Sequence, residues 1–395
     1  MNQHLLTRRK FLMNLVKQKD YFKTEAIETG TFTFTMTSVL NTDCVTYISY
    51  SVNNGRTWVR TDNVNSQEVT VTTPTISAGD SVLWKADAVQ YQMRNSSGYG
   101  RFSSTGKFNV KGNILSLLYS DNFADKTTLK SYVNGSSSST GHGAFANLLH
   151  SSKVVSASDL ILPCSSLLYG CYFGLFHNCT SLTTPPVLPA TTLAAYCYDE
   201  MFYGCSALTT APLLPATKVT AAAYRRMFYG CSSLTTAPAL PATTLAGSCY
   251  NYMFQNCTSL TTVPTILPAM TLVSSCYQYM FFGCTSLTTA PELPATTLVS
   301  SCYYQMFFGC TSLTTAPELP ATTLVSNCYY QMFRNCSNLN YIKAMFTTTP
   351  STSYTRNWVS GVASSGTFVK NSAATWSVSG VNGVPSNWTI QTASS

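Results

Sequence analysis

Near-copies of one 26-residue unit fill the middle of this chain, and no other feature restricts its fold so strongly. Residues 276–301, CYQYMFFGCTSLTTAPELPATTLVSS, and 302–327, CYYQMFFGCTSLTTAPELPATTLVSN, differ only at the two residues after Cys-Tyr and at the last one. Units begin at 171, 197, 223, 249, 276, 302 and 328. The period is 26, with one step of 27 where Thr265, Ile266 and Leu267 carry an extra residue. A weaker unit comes first, with Ala144, Phe145, Leu148, Leu149, Val155 and Leu162 but without the cysteine pair, as a capping repeat would be. A fixed period in the twenties marks a solenoid, whose units cannot bury their apolar faces alone and must stack. Eight rungs at about 4.8 Å each make a rod of about 40 Å.

Within a unit, Ser300 or Ser301 can cap a short helix, CYYQMFFGC, that closes at Gly309. Cys302, Met306 and Cys310 stand at i, i+4 and i+8, one helical face, with Phe307 beside them; Cys276, Met280 and Cys284 repeat this one rung earlier. Leu313 and the following Thr-Thr-Ala read as a short parallel strand that Pro317 ends. The expected core ladder is therefore the Cys-Met-Cys stripe with its Phe and Leu. Comparison between units shows which positions face water. The pair between Cys-Tyr and Met-Phe varies freely (Asp199-Glu200, Arg225-Arg226, Asn251-Tyr252, Gln278-Tyr279), as does the residue after Met-Phe (Tyr203, Gln255, Phe282, Arg334). Both read as an outer face. Tyr303 is ambiguous: it is four residues from Phe307 and suits either a buried flank or an exposed one.

The run FxGCTSLTTAPxLPATTL resembles the BspA-like leucine-rich repeats, and its dialect is similar to proteins found in Bacteroides and their phages. The resemblance covers about 144–343. It implies a solenoid of one short helix and one short parallel strand per unit, and a non-enzymatic adhesive or structural role. Segments such as NVKGNILSLLYSDNF before the array and NWVSGVASSGTFVKN after it look like those accompanying phage and prophage versions.

Composition narrows the remaining choices. Charged residues are only 10%, and Ser, Thr and Tyr supply the polarity. No stretch of the length needed to span a membrane is uninterruptedly apolar. Thirteen of the 15 cysteines lie in the units that begin at 171, the others being Cys44 and Cys164. An odd number argues against a disulfide framework, and on a helix Cys302 and Cys310 stand roughly 12 Å apart, too far for a bridge. The cysteines read as buried thiols acting as small hydrophobes, as in a chain that folds in a reducing compartment. The four histidines are scattered and no Cys-x-x-Cys pair occurs, so neither metal nor cofactor is expected.

The chain divides into a basic amphipathic anchor (1–23), an all-β sandwich-like domain (24–113), a connector with a flexible loop (114–143), the repeats (144–343) and a C-terminal cap (344–395). The anchor carries +5 of the net charge of +8. Nearly neutral repeats exclude a nucleic-acid rod. Arg8, Arg9 and Lys10 beside Phe11, Leu12 and Leu15 read as a docking segment for an acidic partner. Thr7-Arg8-Arg9-Lys10-Phe11-Leu12 also resembles a twin-arginine export signal, but no apolar stretch follows. In the second region, Phe32 and Phe34 alternate with threonines, and Asn53-Asn54-Gly55 signals a hairpin.

No catalytic constellation stands out. The expectation is a non-enzymatic virion component, structural, decorating or fibre-like. It joins other virion proteins through its N-terminal segment and displays a repeat surface suited to host-surface polysaccharide. A bacterial cell-surface adhesin is the alternative. Thr288 and Thr314, with Tyr277 and Tyr303, are the candidate ligand surface; an ice-binding role for the threonine columns is a weaker alternative.

Overall fold

The computed structural model describes residues 19–36, 45–62, 69–88, 100–130 and 143–393. The basic segment from Arg8 to Leu15 lies outside them, as does Cys44. The N-terminal part is strand-rich. Strands β1 (Phe22–Ala26), β3 (Val45–Ser51), β4 (Val59–Asp62), β6 (Ser81–Ala88) and β8 (Phe108–Asn113) share one sheet with β9 (Val154–Ile161), in the order β4-β3-β6-β1-β8-β9. A second sheet runs β5-β2-β7, from β2 (Phe32–Met36), β5 (Val69–Thr72) and β7 (Arg101–Ser104). Alternating aromatics from both sheets meet: the Trp84 and Phe102 rings are 4.9 Å apart, and Phe22 lies 5.3 Å from Phe102. The connector holds a one-turn helix α1 (Ser116–Tyr119), shorter than its leucines promise.

β9 belongs to two structures at once. It pairs in parallel with β8, with Lys111 opposite Asp159, and its Ser156 bridges Thr184 of the next rung. The first rung therefore continues the N-terminal sheet, and its upper surface is covered by chain rather than left open to water, as a solenoid requires.

The array contains no helix, which corrects the expected helix per unit. CYYQMFFGC is instead a run of overlapping tight turns, and its hydrogen bonds can be accounted for completely. Every second N–H reaches the next rung: Tyr303 donates to the Cys328 carbonyl, Gln305 to Tyr330, Phe307 to Met332 and Gly309 to Arg334. The N–H groups between them turn back three residues: Cys302 donates to Val299, Tyr304 to Ser301, Met306 to Tyr303, Phe308 to Gln305 and Cys310 to Phe307. The third residue of every second turn has positive φ, at Ser301 (57°), Gln305 (50°) and Gly309 (71°), as type II turns require. Left-handed backbone costs about 1–2 kcal/mol at a residue with a Cβ. The inter-rung bonds that such a turn chain can make, and a helix cannot, offset this cost. The segment itself is a poor helix: nine residues with four aromatic and two Cys positions, too short to persist alone. The strand expected after Leu313 is reduced to isolated parallel bridges between rungs, as at Thr289–Thr315.

Turn geometry gives a period of four, two residues in and two out. Cys302, Tyr303, Met306, Phe307 and Cys310 are buried, and so are Cys276, Met280 and Cys284. The ladder expected from the sequence is thus the core. Its rings stack from rung to rung: the Tyr column at 5.7–6.0 Å between centroids from Tyr172 to Tyr329, the Phe column at 5.5–5.8 Å from Phe176 to Phe333. Offset stacking of this kind adds about 0.5–1.5 kcal/mol per pair beyond area burial.

The ladder does not stop at 343. β10 (Tyr341–Ala344), β11 (Thr367–Lys370) and β12 (Thr389–Thr392) form a parallel sheet that carries the rod on, and Phe333 donates to the Trp358 carbonyl just as earlier rungs bond onward. Trp358, Trp376 and Trp388 close this end, each indole N–H donating to a backbone carbonyl.

Candidate functional site

Two surfaces of the described repeats stand out once the core is closed. The first is a threonine face. Thr183-Thr184, Thr209-Thr210, Thr235-Thr236, Thr261-Thr262, Thr288-Thr289 and Thr314-Thr315 are all exposed and stand on successive rungs. Parallel bridges hold them in register at Thr210–Thr236, Thr236–Thr262 and Thr289–Thr315. Thr288 and Thr314 are thus accessible, as expected. Tyr277 and Tyr303 are not. They are 1% and 2% exposed inside the stacked Tyr column, because the two-in, two-out turn period sends the residue after Cys inward. They are removed from the candidate ligand surface.

The second surface lies on the turn side, where the varying pair and the residue after Met-Phe emerge. One residue of the varying pairs departs from the outward face expected for it. Asp199 is 0% exposed, although variation between units marked it as outward. Its carboxylate accepts from Arg225 on the next rung, through Nε at 3.1 and 3.2 Å and Nη2 at 2.7 Å. Burial pushes the Asp199 carboxyl up to about 7 against the pull of Arg225. Glu200, in the left-handed position, accepts from Arg226 Nη1 at 3.0 Å and has His177 Nε2 at 3.6 Å. The Arg226 guanidinium lies 5.1 Å from the Tyr252 ring centre. Four charges that are consecutive pairs in sequence thereby become two cross-rung ion pairs, one buried behind the other.

These groups border a groove of about 500 Å³, lined by His177, Glu200, Tyr203, Arg226, Tyr229, Tyr252 and Gln255 among others. It marks a break in the outer aromatic column. His150, His177, Tyr203 and Tyr229 stack at 4.5–4.7 Å, and Gln255 then stands where the next ring would be. Aromatic residues resume in that column with Phe282 and Phe308, 4.5 Å apart. Gln255 Oε1 and His177 Nδ1 are buried there without hydrogen-bond partners.

The second cysteine of each unit has a role beyond packing. Cys205 Sγ donates to the Phe176 carbonyl one rung back at 3.0 Å, and Cys231, Cys257, Cys284, Cys310 and Cys336 repeat the contact at 3.0–3.1 Å. All fourteen described cysteines are free and buried, and burial pushes the thiols up, to about 11 at Cys276 and about 12 at Cys197. Among the described residues no group of three His, Cys, Asp or Glu side chains is placed to hold a metal ion. No helix among them is long and apolar enough to cross a membrane.

Residues 172–266 and 247–355 match the model of the family described as BspA type leucine rich repeat region, in six copies. The array is a BspA-type leucine-rich repeat region. Comparison with curated proteins and with solved structures finds no match. The threonine face and the groove are the parts of this repeat region with recognisable surface chemistry.

Proposed function

We propose that this BspA-like protein is a non-enzymatic adhesive scaffold whose threonine face binds a repetitive polymer, a surface polysaccharide above all. The observation that carries this reading is the row of exposed threonine pairs from Thr183 to Thr315, one pair per rung, held in register by bridges at Thr210–Thr236, Thr236–Thr262 and Thr289–Thr315. A hydroxyl both donates and accepts. Identical weak sites at one spacing gain affinity on a polymer through effective concentration. The face carries little charge, which suits a neutral or weakly charged polymer. The test is binding of the full chain to immobilised polysaccharides, with Thr235, Thr261, Thr288 and Thr314 replaced singly and together by Val. Affinity should fall progressively with the number of replacements. Equal binding by the fourfold variant and the native chain would remove the threonine face from the reading.

Two placements suit such a scaffold: a bacterial cell surface, in keeping with the family, and a virion. The free thiols favour the virion, since particles assemble in a reducing host cytoplasm. In that setting Arg8, Arg9 and Lys10, with Phe11, Leu12 and Leu15, dock onto an acidic partner protein of the particle. Deleting 1–18 should leave a folded chain that purified particles no longer incorporate. Normal incorporation would count against the anchor, and detection of the chain on intact cells but never in particles would favour the cell surface.

A further inference from the structure

We infer that the groove among His177, Glu200, Arg226, Tyr229, Tyr252 and Gln255 is a binding site for a neutral oligosaccharide. The inference rests on the reading of the rod as an adhesive surface and places on it a single defined site, away from the threonine face. Three observations carry it. The groove is the one described place where the outer ring column is interrupted between two stacked stretches, Tyr229 ending the first and Phe282 opening the next. The interruption leaves a concave space of about 500 Å³ spanning the rungs of His177, Tyr203, Tyr229 and Gln255. Four rungs at about 4.8 Å cover roughly 14 Å, enough for a short oligosaccharide.

The chemistry of the lining selects the ligand. Glu200 and Arg226 cancel each other at 3.0 Å, and Asp199 and Arg225 cancel behind them. Burial holds the His177 imidazole below its usual range, toward the neutral form. An ion of either sign finds no unmatched partner. A sugar hydroxyl does: it can donate to the Glu200 carboxylate and accept from Arg226, and the Gln255 amide borders the same space. The Tyr229 ring at the edge of the break offers apolar surface to the C–H groups of a pyranose, and the Tyr229 and Tyr252 phenols a polar tip.

The experiment is calorimetric titration of the full chain with cellohexaose, maltohexaose and mannohexaose, and with hexagalacturonate as the acidic counterpart. At least one neutral hexaose should bind saturably and more tightly than hexagalacturonate. Gln255→Met keeps the side-chain length and removes the amide that borders the groove; it should weaken binding about tenfold, the loss of one hydrogen bond. Gln255→Phe continues the ring column as Phe282 does one rung on, so it conserves the stack while filling the gap; binding should vanish with no loss of melting temperature. Thr288→Val with Thr314→Val should leave hexaose binding unchanged. Absence of binding by every neutral hexaose, or tighter binding of hexagalacturonate, overturns the inference. So does native-like binding by Gln255→Phe. Loss of hexaose binding in the threonine variants alone would overturn the groove while leaving the adhesive face standing.

Discussion

The Asn256 side chain occupies the space that a Cβ on Gly283, one rung later, would need. The same relationship joins Asn178 to Gly204 and Asn335 to Gly361. All six residues lie in the left-handed region, at the third position of the last turn of the run or its equivalent. Only Gly and Asn enter that region readily. An Asn amide leaning on the next rung then leaves room for nothing but Gly there.

This predicts a graded cost. Gly309→Ala meets only the Gly283 Cα at 3.9 Å, so it should cost the backbone term alone, about 1–2 kcal/mol. Gly283→Ala has the same φ near 70° and adds the clash with Asn256. It should cost clearly more, and Asn256→Gly should return the excess. Urea or thermal melts of the four variants form the cycle. Equal losses at Gly283 and Gly309 would show that the amide moves aside freely.

Tyrosine hydroxyls inside the rod give a second prediction. Tyr172, Tyr224 and Tyr329 are buried with phenol oxygens that find no partner. Tyr329→Phe should therefore stabilise the protein, by about 1 kcal/mol, since it removes an unsatisfied polar atom and keeps the ring stack. Tyr303→Ala should cost about 3–5 kcal/mol, as other large aromatic truncations in cores do. Melting temperatures decide both, and Tyr277→Phe should leave any ligand binding untouched.

How far the sequence could be read depends on one coincidence of period. Cys302, Met306 and Cys310 at i, i+4 and i+8 fit a helical face, and they fit a turn chain that repeats every four residues equally well. Both predict the same buried stripe, so the core ladder was legible and the helix was an error. Gly309 read as a helix C-cap because it needs positive φ; it has that φ, but in a turn. Variation between units marked Asp199 as outward, yet its partner Arg225 varies with it one rung on and carries it inside. The opposite charges at 199–200 and 225–226, one period apart, were the visible signal for that pairing and for the groove beside it. The C-terminal rungs were hidden because Trp358 stands where Met-Phe had been, and the unit signature disappears with it.

The thiols should be chemically silent in the native rod. Each described cysteine is buried, and thiols held near 11 or 12 provide almost no thiolate at pH 8. Iodoacetamide should label the native chain at Cys44 at most, which lies outside the described residues, and the denatured, unreduced chain at all 15 cysteines. Protected pairs after denaturation would mean disulfides, contrary to the free thiols of the structure. The gap at Ala223 offers a positive check: Ala223→Cys completes the first cysteine column of the array and should fold normally with an equally silent thiol.

Acid should loosen the rod at its first rungs. His150 stacks on His177 at 4.7 Å, and burial together with His177 and Arg101 lowers the His150 pKa from 6.5 to about 4. Burial lowers His177 as well, and Glu200 opposes it in both. A folded-state pKa below the unfolded value means that the unfolded chain binds the proton more tightly. Stability is then lost as pH falls below about 6.5, and the loss from His150 is complete near 4. His150→Tyr extends the ring column with the residue that Tyr203 and Tyr229 already place there, and removes the titrating group. Melting curves between pH 8 and pH 4 should show a steeper acid loss in the native chain than in the variant, with the two nearest each other above pH 7. Because Asp199 is held near 7 by its burial, it favours the folded state at low pH and works against this loss, so the comparison should be made as a difference between the two proteins. Parallel acid curves for the native chain and His150→Tyr would place the sensitivity elsewhere.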